Sequence, residues 1–306
     1  MKAKGSEQPL PINAACNLGS IDISKFINKD KSTDYNKLQT AIQLGVKFLD
    51  SVIDATSFPT PEIQEWSYAN RPIGIGIMGL ADYFLMKKIA YGSSESLDEL
   101  SSILKFLRDI SDMESVQIGK ERGIPKMCKL LNPPRRNITL TTIPPTGTIS
   151  ILAGCSSGIE PIFSEVMIRT DRTGVYTFEN NLAEQPYFRC AVSANGAIEV
   201  TWEEHVNILT TAQKYIDSGV SKTINFPNGT HKETIAKAVI MAWKNGAKGI
   251  ACYRNGSRKQ EVLTPKSLKK DKCPKCGEDL VEIDNKKRCL HCKKEDLIEN
   301  TTSLYD

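Results

Sequence analysis

RPIGIGIMGLADYF, Arg71 to Phe84, contains Gly74-Ile-Gly76-Ile-Met-Gly79, which is G-x-G-x-x-G letter for letter. A dinucleotide cradle of that form needs a hydrophobic strand ending at the first glycine and a helix after the last. It also needs an acidic residue about 20 positions on, ending a second strand, to hold the ribose. LADYFLMKK suits the helix. The preceding EWSYANRPI makes a poor strand, with only Ile73 beside Gly74, and the later YGSSESLDEL reads as a loop and helix start. The stretch therefore predicts close backbone packing where a helix begins against a sheet, since glycine removes the Cβ that keeps elements apart. A nicotinamide-dependent dehydrogenase is set aside.

Outward from this stretch, amphipathic helices alternate with short β-branched runs. Leu38, Ile42, Val46, Leu49 and Ile53 recur at helical spacing and stop before SFPTP. Ser96 with Glu99, Thr201 with Glu204 and Thr230 with Glu233 each carry the capping-box signature of a helix start. Between helices, NITLTTI (137–143), VSKTINF (220–226) and GIACYR (249–254) read as strands. Strands separated by helices of this length predict an α/β fold with parallel pairing.

The 306 residues are 40% hydrophobic and 25% charged, which suits one large globular domain plus a small one. No apolar run approaches the ~20 residues a membrane helix needs. MKAKGSEQPLPIN lacks the apolar core of a secretory signal. Nine cysteines without such a signal point to a reducing, cytoplasmic compartment. Of the net charge of +4, residues 266–294 hold ten Lys/Arg against five Asp/Glu, so the rest sums to −1. The main body is thus no basic nucleic-acid binder.

Cys273-x-x-Cys276 and Cys289-x-x-Cys292 are two knuckles twelve residues apart, the pattern of a tetrahedral zinc ribbon. So small a module folds on its metal. The alternative is a thiol–disulfide shuttle built from the same pairs. His291 is read as a bystander, and Cys16, Cys128, Cys155, Cys190 and Cys252 by composition alone as buried, unreactive thiols. PPTGTIS after the 138–143 strand places Pro145, Thr146, Gly147, Thr148, Ile149 and Ser150 where backbone N–H groups and hydroxyls could face an anion. On its own it reads equally as a strand-end turn.

Five stretches together resemble ribonucleotide reductase large chains. They are EQPLPINAACNLGSIDISKFI (7–27), RPIGIGIMGLAD (71–82), PPTGTISILAGCSSGIEPIF (144–163), DSGVSKTINFP (217–227) and GAKGIACYRNGSRKQEVL (246–263). The last block, followed by a cysteine-rich tail, is most similar to the class that uses adenosylcobalamin. Oxygen-dependent members carry two adjacent tyrosines near the C-terminus, whereas the equivalent stretch here, Ala251-Cys252-Tyr253-Arg254, has one.

The resemblance implies the second half of a ten-stranded α/β barrel, residues 7–262; lost periodicity and gained lysines place a linker at 263–272 before the zinc ribbon and tail at 273–306. It implies a loop threaded through the barrel that bears Asn-x-Cys-x-Glu, with a second cysteine eleven residues after the first. Glu7 matches the glutamate and Cys16 the second cysteine, while Ala3 and Gly5 stand where the asparagine and the radical cysteine belong. In the family's chemistry a thiyl radical removes the 3′-hydrogen of the ribose and the glutamate takes the 3′-hydroxyl proton. Two thiols then reduce the 2′ carbon as water leaves, and become a disulfide. Cys16 would be one of those thiols.

Glycine carries no thiyl radical, so the expectation is a chain inactive alone, with residues 1–6 a foreign or truncated start. Its partners would be a separate N-terminal half, a ribonucleoside diphosphate, and thioredoxin or a similar dithiol. The resemblance assigns Pro145 to Ser150 to the substrate phosphates, while Glu160 is read as structural. Two other readings stay open: a non-catalytic degenerate barrel whose basic ribbon binds nucleic acid, and the large subunit of an oxygen-dependent reductase.

Overall fold

The computed structural model describes residues 10–171, 174–257, 263–266, 276, 280–283 and 286–289. Its centre is a run of parallel strands taken in chain order. β1 (Asn17–Asp22) pairs with β2 (Ile73–Met78) in register from Asn17↔Ile73 to Asp22↔Met78. β2 in turn meets the 138–143 segment through the parallel bridge Ile75↔Thr141, and Ile143↔Val220 carries the sheet onward. β7 (Thr223–Phe226) and β8 (Ala251–Arg254) pair in parallel and complete a five-strand succession. Of the three stretches expected as strands, 220–226 and 249–254 hold β7 and β8, while 137–143 runs parallel to its neighbours through single bridges at Thr141 and Ile143.

Helices cover one face. α1 (Tyr35–Ala55) starts at Asp34, whose carboxylate accepts from the Lys37 N–H, and buries Leu38, Ile42, Val46, Leu49 and Ile53. α2 (Pro61–Asn70) has Thr60 as its cap and proline in its first turn, where a missing N–H costs nothing. α3 (Leu80–Lys87) and α4 (Ser94–Arg122) lead from β2 to the third strand. α5 (Ile149–Ala153) and α6 (Trp202–Gln213) lie between the third and fourth strands, and α7 (Lys232–Lys244) between the fourth and fifth.

The helix starts split. Thr201 and Glu204 form the full capping box of α6. By contrast α4 begins three residues earlier than expected, because the Ser93 hydroxyl accepts from Ser96 N–H. Glu99 then turns to Lys87 instead, 2.6 Å away. α7 is capped at His231 without a side-chain bond, and the Thr230 hydroxyl donates to the Pro227 carbonyl instead.

The 71–84 stretch differs from its expectation. Ile73–Met78 is a fully buried strand, so Gly74 and Gly76 lie inside it and only Gly79 stands at the helix start. Ile73, Ile75 and Ile77 join the main core while the glycines alternate to the other face. A Cβ on Gly76 would sit 2.1 Å from the Thr142 carbonyl oxygen, so the third strand runs against bare backbone. Gly79 has φ +75°, and a Cβ there would lie 2.3 Å from an Asp22 oxygen. Close packing, as expected, is what the glycines permit.

Beyond the parallel run, β3 (Val166–Asp171) and β4 (Gly174–Glu179) form an antiparallel hairpin. β5 (Arg189–Cys190) and β6 (Ile198–Glu199) are a short parallel pair. Within the stretch expected as a linker, β9 (Leu263–Pro265) adds to β3 as a third antiparallel strand. β10 (Leu280–Ile283) and β11 (Lys286–Cys289) pair as an antiparallel hairpin. No helix among the described residues is long and apolar enough to cross a membrane.

Candidate active site

A cavity of about 700 Å³ lies beyond the C-terminal ends of β2 and the third strand and against β7 and β8 along their length. Asp82 enters it from just beyond β2, Ser150, Ile151, Gly154 to Ser157 and Glu160 from beyond the third strand, Thr223 and Asn225 from β7, and Cys252 and Tyr253 from β8. Met167, Glu179 and Leu263 bring the hairpin and β9 across it. In open or closed parallel sheets, the C-terminal end is where successive loops converge on a ligand.

The cavity walls are pinned by short polar contacts. The Ser156 N–H donates to Asp82 Oδ2 at 2.5 Å, and the Ser156 hydroxyl accepts from Ala81 N–H at 3.2 Å. Burial pushes the Cys155 thiol up to about 12, with the Asp22 and Asp82 carboxylates adding to the effect. Cys155 is therefore a neutral S–H through the physiological range. Glu160 takes the Thr223 N–H at 2.7 Å and the Lys222 ammonium at 2.5 Å.

Behind the hairpin, the buried Glu165 carboxylate gathers the 193–197 loop. Oε1 accepts from the Ser193 hydroxyl at 2.5 Å and the Ala197 N–H at 3.0 Å; Oε2 accepts from the Ser164 hydroxyl at 3.0 Å. Burial by itself would raise this carboxyl, but the Ser193 hydroxyl and the backbone donors outweigh it and hold it at about 2. A depressed folded-state value contributes stability above the unfolded value near 4.5 and loses it as pH falls through about 2. Hydrogen exchange at the Ala197 amide is accordingly expected to stay protected from neutral pH down to roughly that point. Glu165→Gln turns an amide NH₂ towards N–H donors and is expected to lose the protection at every pH.

The expected site residues fall in different places. Thr146, at φ +53°, is buried, and its hydroxyl accepts from the Gly158 N–H at 2.7 Å, so it braces the loop. Gly147, Thr148 and Ile149 are exposed, and Ser150 is the member of the Pro145–Ser150 set that lines the cavity. Cys16 directly precedes β1, with its thiol beside the Thr139 hydroxyl and pushed up to about 12 by burial. It does not line the cavity. Asn17 donates to the Leu49 carbonyl of α1, so alternation puts Cys16 on the face away from that helix. Glu7 lies outside the described residues, as do Cys273 and Cys292. Cys276 is exposed in a turn and Cys289 ends β11. Among the described residues no group of three or more His, Cys, Asp or Glu could hold a metal ion.

Sequence reasoning missed the Lys222–Glu160 pair, for it treated Glu160 as structural and passed over Lys222. The only local signal was a lysine inside an otherwise β-branched strand, VSKTINF.

Five consecutive parallel strands under helices, with a cavity beyond β2 and the third strand and against β7 and β8, define half of an α/β barrel built round a ligand site. The chain belongs to the ribonucleotide reductase barrel-domain family, whose model matches residues 6–129 and 129–253. It is 36% identical to the vitamin B12-dependent ribonucleoside-diphosphate reductase of Thermoplasma acidophilum, over 84% of this chain and 38% of that protein. The enzyme of the same name from Mycobacterium tuberculosis (strain CDC 1551 / Oshkosh) is 30% identical, over 86% of this chain and 43% of the relative. The chain thus spans about two fifths of the length of these relatives. The class Id ribonucleotide reductase alpha subunit of Actinobacillus ureae superposes with a TM-score of 0.64 at 22% identity, over 79% of this chain and 50% of that one. That likeness speaks for the fold.

Proposed function

We propose that this chain forms part of the catalytic barrel of an adenosylcobalamin-dependent ribonucleoside-diphosphate reductase. The observation that carries the reading is the barrel-family match across residues 6–253, joined to relatives named as vitamin B12-dependent reductases. The reaction exchanges the 2′-hydroxyl of a ribonucleoside diphosphate for hydrogen. Water leaves, and two protein thiols become a disulfide that an external dithiol reduces.

Within that scheme the family motif makes Cys16 one of the two reducing thiols; since it stands outside the cavity, this role requires the ribose to reach the start of β1 once the first half-barrel completes the site. Glu7 is the carboxylate that takes the 3′-hydroxyl proton. The exposed Thr148 and Ile149 offer backbone N–H groups to the diphosphate, beside Gly147, whose missing Cβ leaves the approach open. Adenosylcobalamin, when bound, supplies the homolytically cleaved bond from which the radical comes. A cavity of about 700 Å³ is of nucleotide size. It does not also enclose a corrin ring, so the described residues do not by themselves form the cobalamin site. The four C-terminal cysteines are read as a zinc ribbon, supported by the β10–β11 hairpin that carries Cys289.

Deoxynucleotide formation from ribonucleoside diphosphates, with adenosylcobalamin and a dithiol, tests the reading. Product is expected when this chain is mixed with a polypeptide supplying the first half-barrel and the radical cysteine. Cys16→Ser in the same mixture is expected to fall to background. Two halves that associate yet make no product would sink it.

A further inference from the structure

The cavity has an unusual charge for a nucleotide site. Three carboxylates, Asp82, Glu160 and Glu179, line it, and among the described residues no lysine or arginine does. Phosphate is repelled by such a wall, whereas a group rich in N–H and O–H donors is welcomed.

Glu160 is the best prepared of the three. Its side chain is 25% exposed. One oxygen is held by the Thr223 N–H at 2.7 Å and the other by Lys222 Nζ at 2.5 Å. A carboxylate offers about four lone-pair directions, so two interior donors leave capacity on the cavity side. Lys222 cannot swing out to neutralise a ligand. It is fully buried, and its remaining donors go to the Thr223 carbonyl at 2.6 Å and His205 Nδ1 at 2.8 Å. Burial, with the Lys222 charge beside it, holds His205 well below its usual range, so its ring is neutral and accepts that bond on Nδ1. A lysine buried this way is costly unless paired, so its carboxylate partner is locked in place.

Resting on the reductase reading, we infer that Glu160 accepts hydrogen bonds from the nucleoside end of the substrate, with Lys222 as its positioning residue, while the phosphates stay at the exposed 147–149 loop. The donors are ribose hydroxyls or an exocyclic base amine, and the two sources separate by experiment.

Calorimetric titration of the intact chain with CDP, UDP, 2′-deoxy-CDP and inorganic pyrophosphate reads the assignment directly. Glu160→Gln is expected to weaken CDP binding about tenfold or more, as charge-assisted bonds are lost, and to leave pyrophosphate binding unchanged. Equal weakening for CDP and UDP that vanishes for 2′-deoxy-CDP assigns the sugar; weakening for CDP and not UDP assigns the base. Lys222→Met should reproduce the defect. The double variant, which removes both charges and keeps the fold if either single change fails, should be no worse than the weaker single. Folded Glu160→Gln or double-variant protein that binds CDP like the parent overturns the inference and leaves the reductase reading standing. A parent chain that binds none of the nucleotides, alone or mixed with a polypeptide supplying the first half-barrel, overturns both.

Discussion

Gly76→Ala is expected to abolish the native fold. The new methyl carbon would start 2.1 Å from the Thr142 carbonyl oxygen and 3.2 Å from Pro144 Cδ. Neither obstacle is the far end of a flexible side chain. Thr142 N–H donates to the Ile75 carbonyl at 3.1 Å, and Ile75 N–H donates to the Leu140 carbonyl at 2.7 Å. To make room the third strand must leave β2, and the bonds that continue the parallel sheet go with it. Ordinary core overpacking costs about 1–3 kcal/mol; a collision with paired backbone exceeds that and rivals the whole stability of a domain, about 5–15 kcal/mol. Soluble yield and a chemical denaturation curve check it. Gly147→Ala is the control: nothing lies within 4 Å of the position its new methyl would take, so stability should move by no more than about 0.5 kcal/mol. A Gly76→Ala protein as stable as the parent would show that the third strand does not run against β2 as described.

Asp50→Ala carries the second large effect, at about 3–5 kcal/mol of destabilisation. Asp50, on α1, is fully buried. Its Oδ1 takes Arg71 Nε at 2.7 Å and Asn137 Nδ2 at 3.1 Å, while Arg136 Nε stands 3.4 Å from Oδ2. Arg71, itself 3% exposed, closes α2 in the left-handed region at φ +44° and leads directly into β2. Removing the carboxylate leaves the buried guanidinium with only the Asp50 main-chain carbonyl and Asp54, at the point where the chain enters the central strand. Arg71 also binds Asp54 at 2.7 Å, but the Asp54 side chain is half exposed. Asp54→Ala should therefore cost only about 1 kcal/mol or less. Urea unfolding midpoints of the two variants give the comparison, and equal losses would refute this ranking.

Periodicity and composition carried the outline of the fold. The 3.6-residue stripe from Leu38 to Ile53 became α1, the β-branched runs near 220–226 and 251–254 became parallel strands, and 138–143 runs parallel to its neighbours through single bridges. Thr201 with Glu204 made the box it advertised, because that signal is complete within four residues. Ser96 with Glu99 misled, since Lys87 on α3 competes for the same glutamate and the Ser93 hydroxyl takes over the cap. Long motifs around Cys16, Thr146 and Cys252 were enough to suggest the family, which the barrel-domain match then established.

Of the candidate site, the sequence by itself determined the chemistry on offer: a thiol at Cys16, a glycine–threonine loop after the third strand, and thiols at Cys155 and Cys252. Those identities are local and survive any packing. Only the tertiary structure decided that Ile73–Met78 is a strand, because its glycines are stable there through the approach of Thr142, more than sixty residues away. Only it separated Cys16 from the cavity at the other end of β1, and drew Lys222 out of a strand to meet Glu160 and His205. The physical reason is the same in each case: a buried charge or a bare backbone is tolerable only beside one particular partner, and no spacing along the chain encodes which distant segment will close on it.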